Sequence, residues 1–195
     1  MNPRTLSNRE GAQTGDPPVV ALTGFMAAGK STIGRALASL LRWSFIDLDY
    51  EVECRAGMAI AEIFTLHGET RFRQLESECL HAVLAGVNAP TVIALGGGTF
   101  IQPENADALR QRNARVVFVQ TDLEKLLARC RSAADHSQNP RPLARDEDAF
   151  CALYQQRLPH YRKAELTVET HDKEAGETAR EIALALNLLT TGKRA

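Results

Sequence analysis

The chain has 195 residues, of which 44% are hydrophobic and 24% are charged, and its formal net charge is −1. This length favours one domain with a sizeable core. The near-neutral charge argues against a strongly basic nucleic-acid binder or a polybasic membrane protein. The four cysteines form no C-x-x-C pair, so reduced thiols are expected. We expect a cytoplasmic monomer with no nucleic-acid or membrane partner.

Residues 1–18 are predicted to be a disordered leader. Residues 1–16 are polar and lack the apolar segment of a secretory signal. The proline pair Pro17-Pro18 ends this leader. Residues 19–195 are predicted to form the single domain.

From residue 19 onward, short apolar runs alternate with segments of helical apolar spacing. Strands are predicted at 19–23, 44–46, 91–95, 115–119 and 166–169. Helices are predicted at 31–41, 59–66, 69–84, 103–111, 123–130, 149–163 and 177–189. This alternation predicts an α/β fold with three α/β/α layers around a central five-stranded parallel sheet.

The segment after the first predicted strand carries the strongest functional motif. Residues 24–31, GFMAAGKS, match the phosphate-binding pattern G-x-x-x-x-G-K-[ST] between a strand and a helix. Its backbone amides would bind phosphate oxygens, Lys30 would contact the β- and γ-phosphates, and Ser31 would ligate Mg²⁺. A glycine turn that only joins strand to helix is the simpler alternative. The N-K-x-D and D-x-x-G patterns of GTPase switches are absent from the sequence, which favours a transferase.

Two aspartates, Asp47 and Asp49, follow the second predicted strand. In an extended segment, residues two apart point the same way, so both carboxylates would face the ligand site. One could help to hold Mg²⁺, and the other could accept a proton from an attacking hydroxyl or orient it. A polar strand end with a helix N-cap at Asp49 explains them equally well.

Two arginines and a glycine run are candidates for binding an acidic substrate. Arg73 and Glu76 lie three residues apart on one helical face, and Arg157 lies on a later helix. If both arginines reached the strand ends, they would select an acidic compound. Each is more simply a solvated surface residue. The run at 96–98, three glycines, would let the backbone approach a small ligand, or would form only a flexible strand exit.

The polar, proline-containing segment 131–148 is predicted to be a mobile lid because it shows little periodicity. Arg141 in this segment could close over a nucleotide and stabilise the charge of a transferring phosphoryl group. Closure would also exclude water, which competes as an acceptor. An exposed basic loop residue is the alternative.

Together these motifs resemble the shikimate kinase family from Val19 to the final helix. The similar segments are GFMAAGKSTIG at 24–34, FIDLD at 45–49 with Val52-Glu53, Ile63-Phe64, Gly68-Glu69, Phe72-Arg73-x-x-Glu76, the glycine run and Arg141-Pro142-Leu143. The resemblance implies a P-loop kinase that transfers the γ-phosphate of ATP to the 3-hydroxyl of shikimate, with Mg²⁺, in aromatic amino acid biosynthesis.

The resemblance also implies roles for individual residues. Lys30, Asp49 and Arg141 would be catalytic. ATP would be bound by Gly24, Ala27, Ala28, Gly29, Lys30, Ser31, Thr32, Arg129 and Arg141. The substrate would be bound by Asp49, Arg73, Gly97, Gly98 and Arg157, and Mg²⁺ by Ser31 and Asp47.

Three features depart from the family pattern. Ala27 replaces a usual P-loop glycine and would be strained at positive φ. Residues 131–140 look longer than the usual approach to the lid, and Ala144 replaces a frequent leucine.

Two alternatives to a shikimate kinase remain. A gluconate-type kinase usually has His-Pro after the acidic segment, which is absent after Asp49. A nucleotide-binding module without catalysis would not need an intact Lys30, Asp49 and Arg141.

Overall fold

The computed structural model describes residues 16–136, 146–171 and 173–189. In these ranges a five-stranded sheet has the order β2-β3-β1-β4-β5, and all its strand pairs are parallel. The strands are β1 Val19–Thr23, β2 Ser44–Asp47, β3 Thr91–Ala94, β4 Arg115–Gln120 and β5 Leu166–Glu169. The predicted five-stranded parallel sheet is thus confirmed.

Helices cover both faces of this sheet. They are α1 Lys30–Leu41, α2 Leu48–Ala56, α3 Ile60–Gly86, α4 Pro103–Gln111, α5 Leu123–His136, α6 Glu147–Tyr161 and α7 Ala175–Ala185, with a 3-10 turn at Thr99–Ile101. None of these helices, which lie within the ranges given above, is long and apolar enough to cross a membrane.

Side chains of β1 alternate between two hydrophobic clusters, one on each face of the sheet. Val20 and Leu22 pack with residues of α1, α5, α6 and α7. Val19 and Ala21 pack with residues of α2, α3 and α4. This period-two alternation fixes the register of the central strand, because a one-residue slip would exchange the two faces. The result is the predicted three-layer α/β/α arrangement.

Helix α2 was not predicted, and several predicted boundaries differ from the structure, among them those of α5 and α3. Helix α5 continues to His136, so the prediction of irregular structure from residue 131 is wrong for 131–136. Arg131 and the two alanines that follow Ser132 are strong helix formers, so the helix continues through their polar neighbours. Residues 137–145, which include Arg141, lie outside the described residues, as do residues 1–15 of the predicted leader. Helix α3 is bent at Gly68 (φ 76°, ψ 174°), where a break between two helices was predicted.

Candidate active site

The P-loop connects β1 to α1 at the carboxyl edge of the sheet. Lys30 Nζ donates hydrogen bonds to the carbonyls of Gly24 and Phe25, each at 2.9 Å. Gly24 has φ 144°, and a β-carbon there would lie 2.6 Å from the Val119 carbonyl oxygen in β4. Only glycine fits this approach. Helix α1 begins at Lys30 without a side-chain cap, so its first amides can donate to a bound phosphate.

Contacts from the neighbouring strand end and α5 hold the tip of the loop. The Ala27 carbonyl accepts a hydrogen bond from Arg129 Nη1 at 3.1 Å. The Ala28 carbonyl accepts one from Thr121 Oγ1 at 3.3 Å. The Thr121 hydroxyl also lies 2.7 Å from that of Thr170. Arg129 therefore lies against the P-loop, and its contact with the nucleotide stays a prediction.

Ala27 has φ 61°, in the left-handed region. The strain expected if the position needed positive φ is thus present, since alanine disfavours this region by about 1–2 kcal/mol.

The two aspartates belong to different elements. Asp47 is the last residue of β2, whereas Asp49 lies in the first turn of α2. The prediction that both share an extended segment is therefore wrong, because the chain becomes helical at Leu48. Asp49 nonetheless reaches the glycine run, since its Oδ1 would lie 2.7 Å from a β-carbon on Gly96. Ser31 and Asp47 are both half-buried, and Thr32 is exposed.

A buried carboxylate fixes Arg73. Glu76 is fully buried, and its Oε2 accepts a hydrogen bond from Arg73 Nη1 at 2.8 Å. Its Oε1 accepts one from Thr99 Oγ1 at 2.6 Å. Arg73 also donates to Glu69 Oε1 from Nη2 at 3.1 Å. The side chain of Glu76 thus links Arg73 on α3 to the residue that follows the glycine run.

The same contacts keep Arg73 charged and place it against Gly98. Burial acts to lower the pKa of Arg73, but the charges of Glu76 and Glu69 and their hydrogen bonds raise it above its ordinary value. A β-carbon on Gly98 would lie 2.6 Å from Arg73 Cζ. Glycine at this position is therefore what lets the guanidinium approach the backbone.

Arg157, on α6, also reaches the glycine run. Its Nη1 donates to the Gly97 carbonyl at 3.3 Å, and its Cζ lies 5.8 Å from the centre of the Phe25 ring in the P-loop. Tyr161, one turn later on α6, donates its hydroxyl to the same Gly97 carbonyl at 2.5 Å. Within the described part of the chain, no carboxylate forms an ion pair with Arg157.

The structure therefore brings together most of the predicted site residues. Arg73, Asp49 and Arg157 meet at 96–98, beside the P-loop. Sequence reasoning missed Thr99 and Tyr161. Their signals were the position of Thr99 directly after the glycine run and the four-residue spacing from Arg157 to Tyr161.

A P-loop after the central strand of a β2-β3-β1-β4-β5 parallel sheet, facing arginines across a glycine run, defines the class of P-loop kinases. A family model described as shikimate kinase matches residues 26–187. The chain belongs to the shikimate kinase family, and it is an ATP-dependent phosphotransferase.

Relatives support this assignment over most of their length. The shikimate kinase of Moorella thermoacetica is 41% identical over 172 residues, covering 87% of this chain and 95% of that protein. That of Nitrobacter winogradskyi is 42% identical over 156 residues, covering 78% of this chain and 69% of that protein.

Solved structures are also similar to this chain. A shikimate kinase from Acinetobacter baumannii in complex with shikimate has a TM-score of 0.76 and 35% identity, covering 90% of this chain and 96% of that one. A gluconokinase from Sinorhizobium meliloti has a TM-score of 0.56 at 18% identity, covering 89% of this chain and 97% of that one. The second likeness reflects the fold alone.

Proposed function

We propose that this chain transfers the γ-phosphate of ATP to the 3-hydroxyl of shikimate, giving shikimate 3-phosphate and ADP. The observation that carries this proposal is the convergence of Arg73 and Arg157 on the backbone of Gly97 and Gly98, next to the P-loop. Two guanidinium groups that converge on one small site select a carboxylate among small acceptors. The reaction would take place in the cytoplasm, in aromatic amino acid biosynthesis, with a monomeric enzyme.

The nucleotide is proposed to bind along the P-loop and the first turn of α1. Lys30, already held between two loop carbonyls, would turn its ammonium group to the β- and γ-phosphates. Arg129 would flank the nucleotide, and Arg141 would stabilise charge on the transferring group. The remaining ATP contacts would be Gly24, Ala27, Ala28, Gly29, Ser31 and Thr32.

The oxygen donors of Ser31, on α1, and Asp47, at the end of β2, fit Mg²⁺ in chemical type. The Ser31 hydroxyl and the Asp47 carboxylate offer hard oxygen ligands, and among the described residues no group of three or more His, Cys, Asp or Glu forms a metal cage. Mg²⁺ is usually held by one or two protein oxygens together with phosphates and water. Ser31 and Asp47 would therefore hold the ion, which when bound neutralises charge on the phosphates.

The acceptor is proposed to lie between α3 and α6. Arg73 and Arg157 would clamp its carboxylate, and the backbone of Gly97 and Gly98 would contact its ring. Asp49, whose Oδ1 lies at Gly96, would accept a proton from the attacking hydroxyl or orient it. Because the glycine run lies beside the P-loop, this pose directs the hydroxyl toward the γ-phosphorus for in-line attack.

A coupled ADP-release assay with a panel of acceptors tests the proposal. We expect turnover with shikimate, and little with gluconate or nucleoside monophosphates at the same concentration. Lys30→Ala provides the matched control, because it removes the phosphate contact and should abolish turnover.

Each alternative predicts a different result in this assay. Turnover with gluconate but not shikimate would support the gluconate-type kinase. ATP binding in calorimetry without turnover on any acceptor would support a non-catalytic nucleotide-binding module. Either result would overturn the proposed reaction.

A further inference from the structure

Tyr161 occupies a position that the proposed chemistry does not explain. It is the last residue of α6, and it is fully buried. Its ring stacks on Phe118 of β4, with centroids 5.2 Å apart. Packing against the central sheet fixes the ring, so the hydroxyl has a defined direction. That direction is toward the Gly97 carbonyl, 2.5 Å away.

The Gly97 carbonyl receives two donors from the same helix. Tyr161 donates at 2.5 Å, whereas Arg157 Nη1 donates at 3.3 Å. A carbonyl oxygen has two lone pairs and can accept both. The tyrosine makes the shorter bond, and the longer, weaker one leaves the guanidinium more able to turn to a ligand.

The Tyr161 hydroxyl stays protonated near neutral pH, so it remains a hydrogen-bond donor there. Burial raises the pKa of Tyr161 to about 12, although the charge of Arg157 and its contact with the hydroxyl act in the opposite direction. A protonated hydroxyl beside a cation needs an acceptor in a buried site. The Gly97 carbonyl is that hydrogen-bond acceptor, and without this bond the hydroxyl would be unpaired.

Gly97 is also the point where three parts of the site meet. A β-carbon there would lie 3.5 Å from the Met26 amide nitrogen, 3.7 Å from Arg157 Nη1 and 3.8 Å from the Gly24 carbonyl oxygen. A shift of this peptide would therefore move the acceptor site relative to the P-loop. Arg157 alone, with one long hydrogen bond, is a weak restraint on it.

We infer that Tyr161 is a positioning residue: its hydroxyl holds the Gly97 carbonyl and thereby leaves the Arg157 guanidinium able to turn toward the carboxylate of the substrate. This inference rests on the proposed function. Without the hydroxyl, the Gly97 carbonyl would accept a closer hydrogen bond from Arg157 itself. The guanidinium would then be held on the backbone instead of turning to the substrate carboxylate, so shikimate binding would weaken while ATP binding would not.

Tyr161→Phe tests this directly, because it removes the hydroxyl and keeps the ring stacked on Phe118. We expect the KM for shikimate to rise about five- to tenfold, the loss of one hydrogen bond, with the KM for ATP changed less than about twofold. Tyr154→Phe is the matched control. Tyr154 lies on the same helix with its ring 5.4 Å from that of Phe25, and its hydroxyl has no hydrogen bond among the described residues.

A double-mutant cycle separates positioning from general destabilisation. In an Arg157→Ala background, Tyr161→Phe should raise the KM for shikimate by less than about twofold, because the residue through which it acts is gone. If the two substitutions raised the KM for shikimate independently, so that their fold-changes multiplied in the double variant, the inference would be overturned. Equal effects on both substrates, or a variant that does not fold, would also overturn it, because the hydroxyl would then act through the fold at large.

Different experiments test the proposed function and the role of Tyr161. A wild-type chain without shikimate-dependent turnover would remove the proposed reaction. Calorimetric titration of shikimate would still compare wild type with Tyr161→Phe, since carboxylate binding needs no turnover. Equal dissociation constants for the two proteins would then overturn the role of Tyr161.

Discussion

Ala27 holds a left-handed backbone conformation, φ 61°, at the tip of the P-loop. Its methyl group makes this conformation unfavourable, although glycine would lose more chain entropy on folding. We expect Ala27→Gly to stabilise the protein by a net 0.5–1 kcal/mol, or about 1–4 °C in Tm. Thermal unfolding followed by circular dichroism measures this shift.

The control for this change is Ala36→Gly in the middle of α1. Here the alanine is helical, so glycine should destabilise the protein by about 0.5–1 kcal/mol. The two substitutions are chemically identical and have opposite expected signs. A lower Tm for both would show that the backbone at Ala27 is not strained.

Thr99 donates to the buried carboxylate that holds Arg73. Thr99→Val keeps the shape of the side chain but leaves Glu76 Oε1 without this donor, at a cost of about 1–3 kcal/mol. Arg73 should lose its fixed orientation, so the KM for shikimate should rise as well. Steady-state kinetics and chemical denaturation report the two effects, and Thr99→Ser, which restores the hydroxyl, should recover both.

Individual site residues differ in how far the sequence could predict them. Lys30 and Ser31 belong to a local pattern whose geometry is fixed by the turn itself. Thr99 and Tyr161 act on partners 23 and 64 positions away, and no local pattern records such contacts. Asp49 was assigned correctly to the edge of the sheet but to the wrong element, because a two-residue alternation does not reveal where a strand gives way to a helix.

At the scale of elements, α1 packs unusually close to the sheet. A β-carbon on Gly34 would lie 2.6 Å from Phe45 Cε2 and 3.3 Å from Leu22 Cδ1. The Phe45 ring cannot move outward freely, since Arg35 Cζ lies 4.7 Å from its centre. Close packing of this helix also sets the position of Lys30 at its first turn.

We therefore expect Gly34→Ala to destabilise the protein. Overpacking costs about 1–3 kcal/mol, and the better helix propensity of alanine returns up to about 1 kcal/mol. Gly86→Ala, at the end of α3 with nothing within 4 Å, should be neutral or stabilising. Urea denaturation compares the two, and equal effects would show that α1 can move away from Phe45.

Element boundaries were less predictable than the elements themselves. Strands β1, β2 and β3 could be predicted because each is a short apolar run that ends at glycine or aspartate, and β1 and β3 are fully buried, as is typical of a parallel sheet. The end of α5 was missed because the residues of its last turns are mostly polar, which is also the composition of a loop. The bend of α3 at Gly68 could be predicted from the sequence, because glycine tolerates the φ of 76° found there.

At the scale of the whole molecule, the acceptor site joins elements that are far apart in the sequence. Arg73 comes from α3, Gly97 and Gly98 follow β3, and Arg157 comes from α6. A ligand bound to all three must be released when the protein unfolds. Ligand binding should therefore stabilise the whole folded chain. The size of the effect depends on the ligand concentration relative to the dissociation constant.

Shikimate at about 100 times its dissociation constant should stabilise the protein by about 2.7 kcal/mol, which raises Tm by about 5–10 °C. Shikimate methyl ester keeps the ring hydroxyls but lacks the charge that Arg73 and Arg157 would bind, so it should give almost no shift. Arg73→Ala should lose the shift with shikimate and keep the shift with ATP. If the ester stabilised the wild-type chain as strongly as shikimate, the acceptor would be held by its hydroxyls, and the two arginines would have no part in selecting it.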